Sequence, residues 1–145
     1  MKLKTLLLTL LLSTSLIGTT YADWKDGLDA LDKGDFKVAI SEFESSANRG
    51  DTKAQVLLGI MYGKGTGTPK DDKQALQWFQ KAADQGSSSG QTILGLWYAD
   101  GRGAILKDLS KAKYWIKKAY ENPDASANEV KRAKSKWESY ELWKY

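Results

Sequence analysis

The sequence predicts an all-α protein made of stacked helical hairpins, and three observations carry that prediction. Residues 54–86 recur one period later with their key residue types in the same order. A shift of 36 residues lays Leu58-Gly59 on Leu94-Gly95, Tyr62 on Tyr98, Gly65 on Gly101 and Gly67 on Gly103. After one inserted residue, a shift of 37 lays Asp71 on Asp108, Ala75 on Ala112, Trp78 on Trp115 and Lys81-Ala82 on Lys118-Ala119. Self-similarity at such a period marks a stacked helical repeat, because one hairpin cannot bury its apolar face alone. Between these copies the apolar residues follow the 3.6-residue period, and glycines fall where hairpins must turn.

The first 22 residues stand apart in composition. Lys2 and Lys4 make a basic start, Leu6 and the apolar residues up to Ile17 a centre too short for a membrane span, and Thr20-Tyr21-Ala22 a small-residue ending. This is the pattern of a secretory signal peptide cleaved between Ala22 and Asp23, the alternative being a retained N-terminal anchor. The expected location of the mature chain is the periplasm or the medium, with no membrane insertion after cleavage. Cleavage leaves 123 residues, enough for one domain with a real core, and 20 basic against 18 acidic residues. The whole-chain pI near 9.1 is therefore weak ground for nucleic-acid binding, and no nucleic acid is expected as partner. The chain has no cysteine, so packing alone must stabilise it, and thiol chemistry and thiolate metal ligands are excluded.

Residues 23–50 read as a short-looped helical hairpin. Trp24, Leu28 and Leu31 share one face of a first helix ended by Gly34. Asp35 is placed to cap a second, whose Phe36, Ala39, Ile40, Phe43 and Ala47 follow the helical period and stop before Gly50. Residues 51–86 form the first full repeat. Asp51 or Thr52 caps a helix over 53–62, a glycine-rich loop follows, and a second helix covers 71–85. Residues 87–121 repeat the plan with helices over 87–99 and 108–120. Asn122-Pro123-Asp124 interrupts the chain, and a last helix is expected over 125–143 within a capping segment, 124–145. Ala127, Val130, Ala133 or Lys134, Trp137, and Tyr140 or Glu141 lie on one side of it, and its charged side is expected to face water as the end of the array. Glycines 59 and 95 cost roughly 1 kcal/mol each in a helix interior, which points to close helix contacts there. Leu58, Leu94, Tyr62, Tyr98, Trp78 and Trp115 are expected to supply bulk between hairpins.

The pattern Ala54-x-x-x-Leu58-Gly59-x-x-Tyr62-x-x-Gly65-x-Gly67, then Asp71, Ala75, Trp78, Lys81-Ala82-Ala83 and Gly86, resembles the Sel1-like repeat, a relative of the tetratricopeptide hairpin. The second copy departs from it at Gly90, where the first has Ala54, and by the residue inserted near Ile105. The first hairpin has Glu42 where later copies have tryptophan. The resemblance implies a right-handed α-solenoid of about three hairpins plus the capping helix. It also implies a concave surface, lined mainly by the first helix of each hairpin, that binds proteins or peptides. Exported bacterial members serve as adaptors, host-interaction factors, envelope-assembly proteins and immunity proteins against secretion-system effectors such as lipases. A cysteine-rich branch linked to penicillin binding and β-lactamase activity lacks its cysteines here, so a cell-wall or β-lactam hydrolase is disfavoured and no enzyme is expected.

The residues agree with that expectation. Histidine is absent, which removes the commonest general base and a leading metal ligand. Gly86-Ser87-Ser88-Ser89-Gly90 matches G-x-S-x-G literally but joins two expected helices, where a nucleophile elbow needs a strand and a triad base. Gly63-Lys64-Gly65-Thr66-Gly67 lacks phosphate-loop spacing and follows a helix. Asp71-Asp72 falls where a helix start needs a cap and negative charge. Trp137, Tyr140, Trp143 and Tyr145 among lysines read as the cap of the apolar array. No cofactor or metal is expected. What remains for recognition is the set of first-helix residues outside the repeat pattern: Lys53, Val56, Ile60, Met61 and Lys64, with Thr92, Leu96, Trp97 and Asp100. Trp97 is the leading candidate because tryptophan is enriched at binding hot spots, the alternative being burial against the neighbouring hairpin.

Overall fold

The computed structural model describes residues 23–103 and 105–144, so the expected signal peptide lies outside the described residues. These residues form seven α-helices and no strand. They are α1 (Trp24–Asp32), α2 (Phe36–Asn48), α3 (Thr52–Lys64), α4 (Asp72–Asp84), α5 (Ser88–Asp100), α6 (Leu109–Tyr120) and α7 (Ala127–Ser139), followed by a 3-10 turn, Leu142–Lys144. Helices pair as α1 with α2, α3 with α4 and α5 with α6, and each hairpin stacks on the next. This is an α-solenoid. The first helices also touch one another, α3 with α5 and α5 with α7, while the second helices do so less, which makes the first-helix side the inner one.

Helix starts are fixed by short polar side chains. The Asp51 carboxylate accepts from the backbone N–H groups of Lys53 at 2.8 Å and Ala54 at 3.0 Å. Asp71 and Asp108 each accept from a backbone N–H three residues on, at 2.9 Å. Asp35 makes no capping bond. The Phe36 N–H donates instead to the Gly34 carbonyl at 3.0 Å, closing a tight turn at Asp35 (φ −83°, ψ 64°) in place of the extended backbone that the capping aspartates adopt. At the other ends, α3 and α5 close on Gly65 and Gly101 in the left-handed region, φ 71° and 68°.

The core follows from one contact repeated three times. A β-carbon on Gly59 would lie 2.6 Å from the Phe79 ring, one on Gly95 2.5 Å from Ile116 Cγ1, and one on Gly27 against the Phe43 ring. Phe43, Phe79 and Ile116 are accordingly fully buried, and Leu58 and Leu94 join them as expected. The expectation for Trp78 and Trp115 is corrected, since both are only half-buried. Trp78 still packs against the core with part of its ring, and each tryptophan lies under the lysine three residues later, Lys81 4.0 Å from the Trp78 ring centre and Lys118 5.4 Å from that of Trp115. The glycine at position 90, which departs from the first copy's alanine, has a similar cause: a β-carbon there would lie 2.8 Å from Ala82 Cβ and 2.9 Å from the Ala83 backbone nitrogen.

Polar ties hold consecutive hairpins together. The Gln55 amide donates to the Ala47 carbonyl at 3.0 Å, and its equivalent Gln91 to the Ala83 carbonyl at 3.3 Å. The Tyr62 hydroxyl donates to Glu44 at 2.8 Å. Burial, then the Glu44 hydrogen bond and charge, pushes the Tyr62 pKa up from 10.0 to about 12. The neutral phenol is the form the fold favours, so its contribution is whole below pH 10 and is lost as pH rises through about 12. Urea unfolding across that window is expected to show the wild type losing on the order of 2 kcal/mol more stability than Tyr62→Phe. Parallel alkaline limbs for the two proteins would remove this role from Tyr62.

The C-terminal segment differs from the single helix expected over 125–143. α7 stops at Ser139, and Glu141 has φ 50°, the one positive value among the described non-glycine residues. The break lets the 3-10 turn fold Leu142 onto α6 and α7, where it is fully buried with Ile116, Ala119 and Ala133. A straight helix would carry Leu142 past that contact.

Candidate recognition groove

On the inner side, α3, α5 and α7 leave two adjoining depressions. The first, about 240 Å³, lies between α3 and α5, with Ile60, Gly63 and Lys64 on one wall and Ile93, Leu96 and Trp97 on the other. The second, about 270 Å³, lies between α5 and α7, with Thr92, Ile93 and Leu96 facing Lys131, Arg132 and Ser135. Ile93 and Leu96 line both, so one half-buried apolar strip on α5 is shared by two basins of a single groove.

Cations dominate the rim. Lys64 and Arg102 border the first basin, Lys131, Arg132 and Lys136 the second. Lys64, Lys131 and Lys136 take part in no ion pair among the described residues. The nearby carboxylates are engaged. Asp100 accepts from the Tyr140 hydroxyl at 2.6 Å and pairs with Arg102 at 3.0 Å. Glu129 closes the α7 capping box with Ser126 and accepts from the Ser89 hydroxyl at 2.9 Å. The Ser126 side chain and backbone, with Ser89 and the Arg132 charge, hold its carboxyl below the usual range.

The residues picked from sequence separate into two groups. Ile60, Lys64 and Leu96 line the groove, and Asp100 sits exposed beside it. Lys53 is exposed at a different place, its ammonium 4.7 Å from the Trp24 ring centre. Val56 and Met61 are buried away from the groove, whereas Thr92 and Trp97 line its basins with only a small exposed edge each, the rest of both side chains being buried, which corrects the expectation of an open surface position. Thr92 donates its hydroxyl to the Ser88 carbonyl at 2.9 Å. Met61 belongs to the core of the first hairpins. Trp97 stands edge-to-face on Phe79, ring centres 5.3 Å apart, and only 7 % of it reaches solvent. Sequence reasoning missed Ile93, Arg102 and the α7 cations. The signal for α7 was present in Ser126 and Glu129, whose capping box starts it as Asp51 and Ser87 start α3 and α5.

The serines of the turn between α4 and α5 are used structurally. Ser87 caps α5 by accepting from the Gly90 N–H at 3.2 Å, and the buried Ser88 hydroxyl donates to the Ala119 carbonyl at 3.0 Å. Both tie one helix to its surroundings. Among the described residues no three acidic, histidine or cysteine side chains are grouped to hold a metal.

The family model for the Sel1 repeat matches the chain twice, over residues 52–87 and 88–124. The chain belongs to the Sel1 repeat family. Among solved structures, a Sel1 repeat protein from Oxalobacter formigenes is similar at 28 % identity with a TM-score of 0.64, over 75 % of this chain and 48 % of that one. A protective antigen present in uropathogenic Escherichia coli strains, displaying an SLR fold, is similar at 27 % identity with a TM-score of 0.65, over 83 % of this chain and 27 % of that one. The chain thus spans less than half the length of either structure. No curated protein matches it. Sel1 repeats are in general non-catalytic modules for protein–protein interaction, and the groove described above lies on the first-helix side of this Sel1 solenoid.

Proposed function

We propose that this Sel1 repeat protein is an exported, non-catalytic module that binds a protein or peptide in the groove across α3, α5 and α7. One observation carries the reading: half-buried Ile60, Ile93 and Leu96 form a recessed apolar floor rimmed by unpaired lysines. An apolar floor with a polar rim is the ordinary anatomy of a recognition surface. Export rests on the basic start, apolar centre and small-residue ending of residues 1–22.

A photo-crosslinking amino acid placed at Leu96 is expected to capture a protein partner in the envelope, whereas one at Ser45, exposed on α2, is not. Equal capture at both positions would sink the groove reading. Mass spectrometry of the purified chain tests export separately, the expected first residue being Asp23.

A further inference from the structure

We propose that the groove takes an extended acidic peptide segment bearing two apolar side chains, one for each basin. This rests on the groove reading above and adds the chemistry of the occupant. At about 240 and 270 Å³ the basins suit side chains, each falling below the several hundred Å³ of an ordinary small-molecule site. They sit on either side of one helix, so their centres are separated by about one inter-helix step, roughly 10 Å. An extended chain in the polyproline II conformation covers that in three residues at roughly 3.1 Å each, and with three residues per turn its side chains at i and i+3 point the same way. Between and beyond the two anchors the peptide meets Lys64, Lys131, Arg132 and Lys136, while Asp100 is paired with Arg102 and Glu129 is bonded to Ser126 and Ser89.

The positive rim is a local property. Residues 23–50 carry seven acidic against four basic side chains, and the excess of lysine and arginine lies in α6 and α7. Two other anionic classes fit less well. Nucleic acid asks for aromatic faces on which bases stack, and the groove's one aromatic pair, Trp97 and Phe79, is buried edge-to-face. A lipid surface asks for protruding apolar side chains, whereas Ile93 and Leu96 are recessed.

The test uses the chain as purified after expression of its full sequence and, as probe, a phage-displayed library of random dodecapeptides. Recovered peptides are expected to carry excess Asp and Glu and two apolar residues about three positions apart. The tightest of them, made synthetically and measured by fluorescence anisotropy, is expected to lose about tenfold or more in affinity with Lys131→Glu/Lys136→Glu, and to weaken as salt is raised. Those lysines are exposed, so the variant is expected to fold, which its circular dichroism checks. Leu96→Asp is expected to abolish binding.

Peptides of neutral or basic composition that still depend on Leu96 would overturn the acidic occupant and leave the groove reading intact. So would affinity unmoved by the lysine reversal, or displacement by an equal concentration of single-stranded oligonucleotide, which would mean that the groove reads charge alone. Recovery of no peptide, or binding indifferent to both variants, would remove the groove reading and this proposal together.

Discussion

Gly95→Ala is expected to destabilise the protein by about 3 kcal/mol and to lower its melting midpoint by roughly 10 °C. The added methyl would sit 2.5 Å from Ile116 Cγ1 and 3.2 Å from both the Ala112 carbonyl oxygen and the Ile116 nitrogen. Two of these three neighbours are backbone, so relief requires α5 and α6 to separate, and a well-packed solenoid resists that. Alanine gains roughly 1 kcal/mol in helix propensity, which offsets only part of the cost. Gly59→Ala is expected to cost less, because the three nearest atoms to its methyl all belong to the Phe79 ring, which can turn. Urea unfolding of the pair checks the ordering. A Gly95→Ala variant as stable as the wild type would mean the helices approach less closely than described.

Trp97→Ala is expected to cost about 4 kcal/mol, as removal of a large buried aromatic does. The indole spans from Phe79 to the neighbourhoods of Gly63 and Gly103, whose added β-carbons would lie 3.5 Å and 3.4 Å from its ring. It therefore fixes α5 against α3, α4 and the loop that follows α5. Trp97→Phe, which can keep an edge-to-face contact on Phe79, is expected to recover part of the loss. An alanine variant that unfolds at the wild-type urea midpoint would place Trp97 outside the core and restore it as an exposed anchor.

These two variants mark the boundary between what the sequence conveyed and what it left open. The glycines were legible as close contacts because glycine in a helix interior is costly, and position 95 recurs 36 residues after position 59. Asp51, Asp71 and Asp108 were legible as caps because a helix start needs an acceptor for its first N–H groups, wherever the rest of the chain lies. Asp35 failed as a cap through a local turn whose ψ no composition reveals.

The recognition residues were harder to read, and α3 and α5 show why. α4 and α6 each have one buried face and one open face, so their apolar residues keep a clear helical period. α3 and α5 are packed by neighbours on several sides, and apolar or small residues surround them almost evenly. Their sequence identifies a buried helix without identifying its open strip. Leu96 and Trp97 are adjacent and equally apolar on paper, yet Leu96 is half-buried on the groove while Trp97 shows it only an edge and lies mostly in the core. α7 misled for the opposite reason. Its lysines suited a helix that faces water, yet it stands where the first helix of a further hairpin would stand, so some of them rim the groove.

By itself the sequence determined the solenoid, its period, its turns and most of its caps, because each depends on residues a few positions apart and on backbone rules that hold in any protein. Only the tertiary structure decided which residues are accessible. That depends on the helix one hairpin away: Phe79 is what buries Trp97, and α7 is what turns Ile93 and Leu96 from the side of one helix into the floor of a groove.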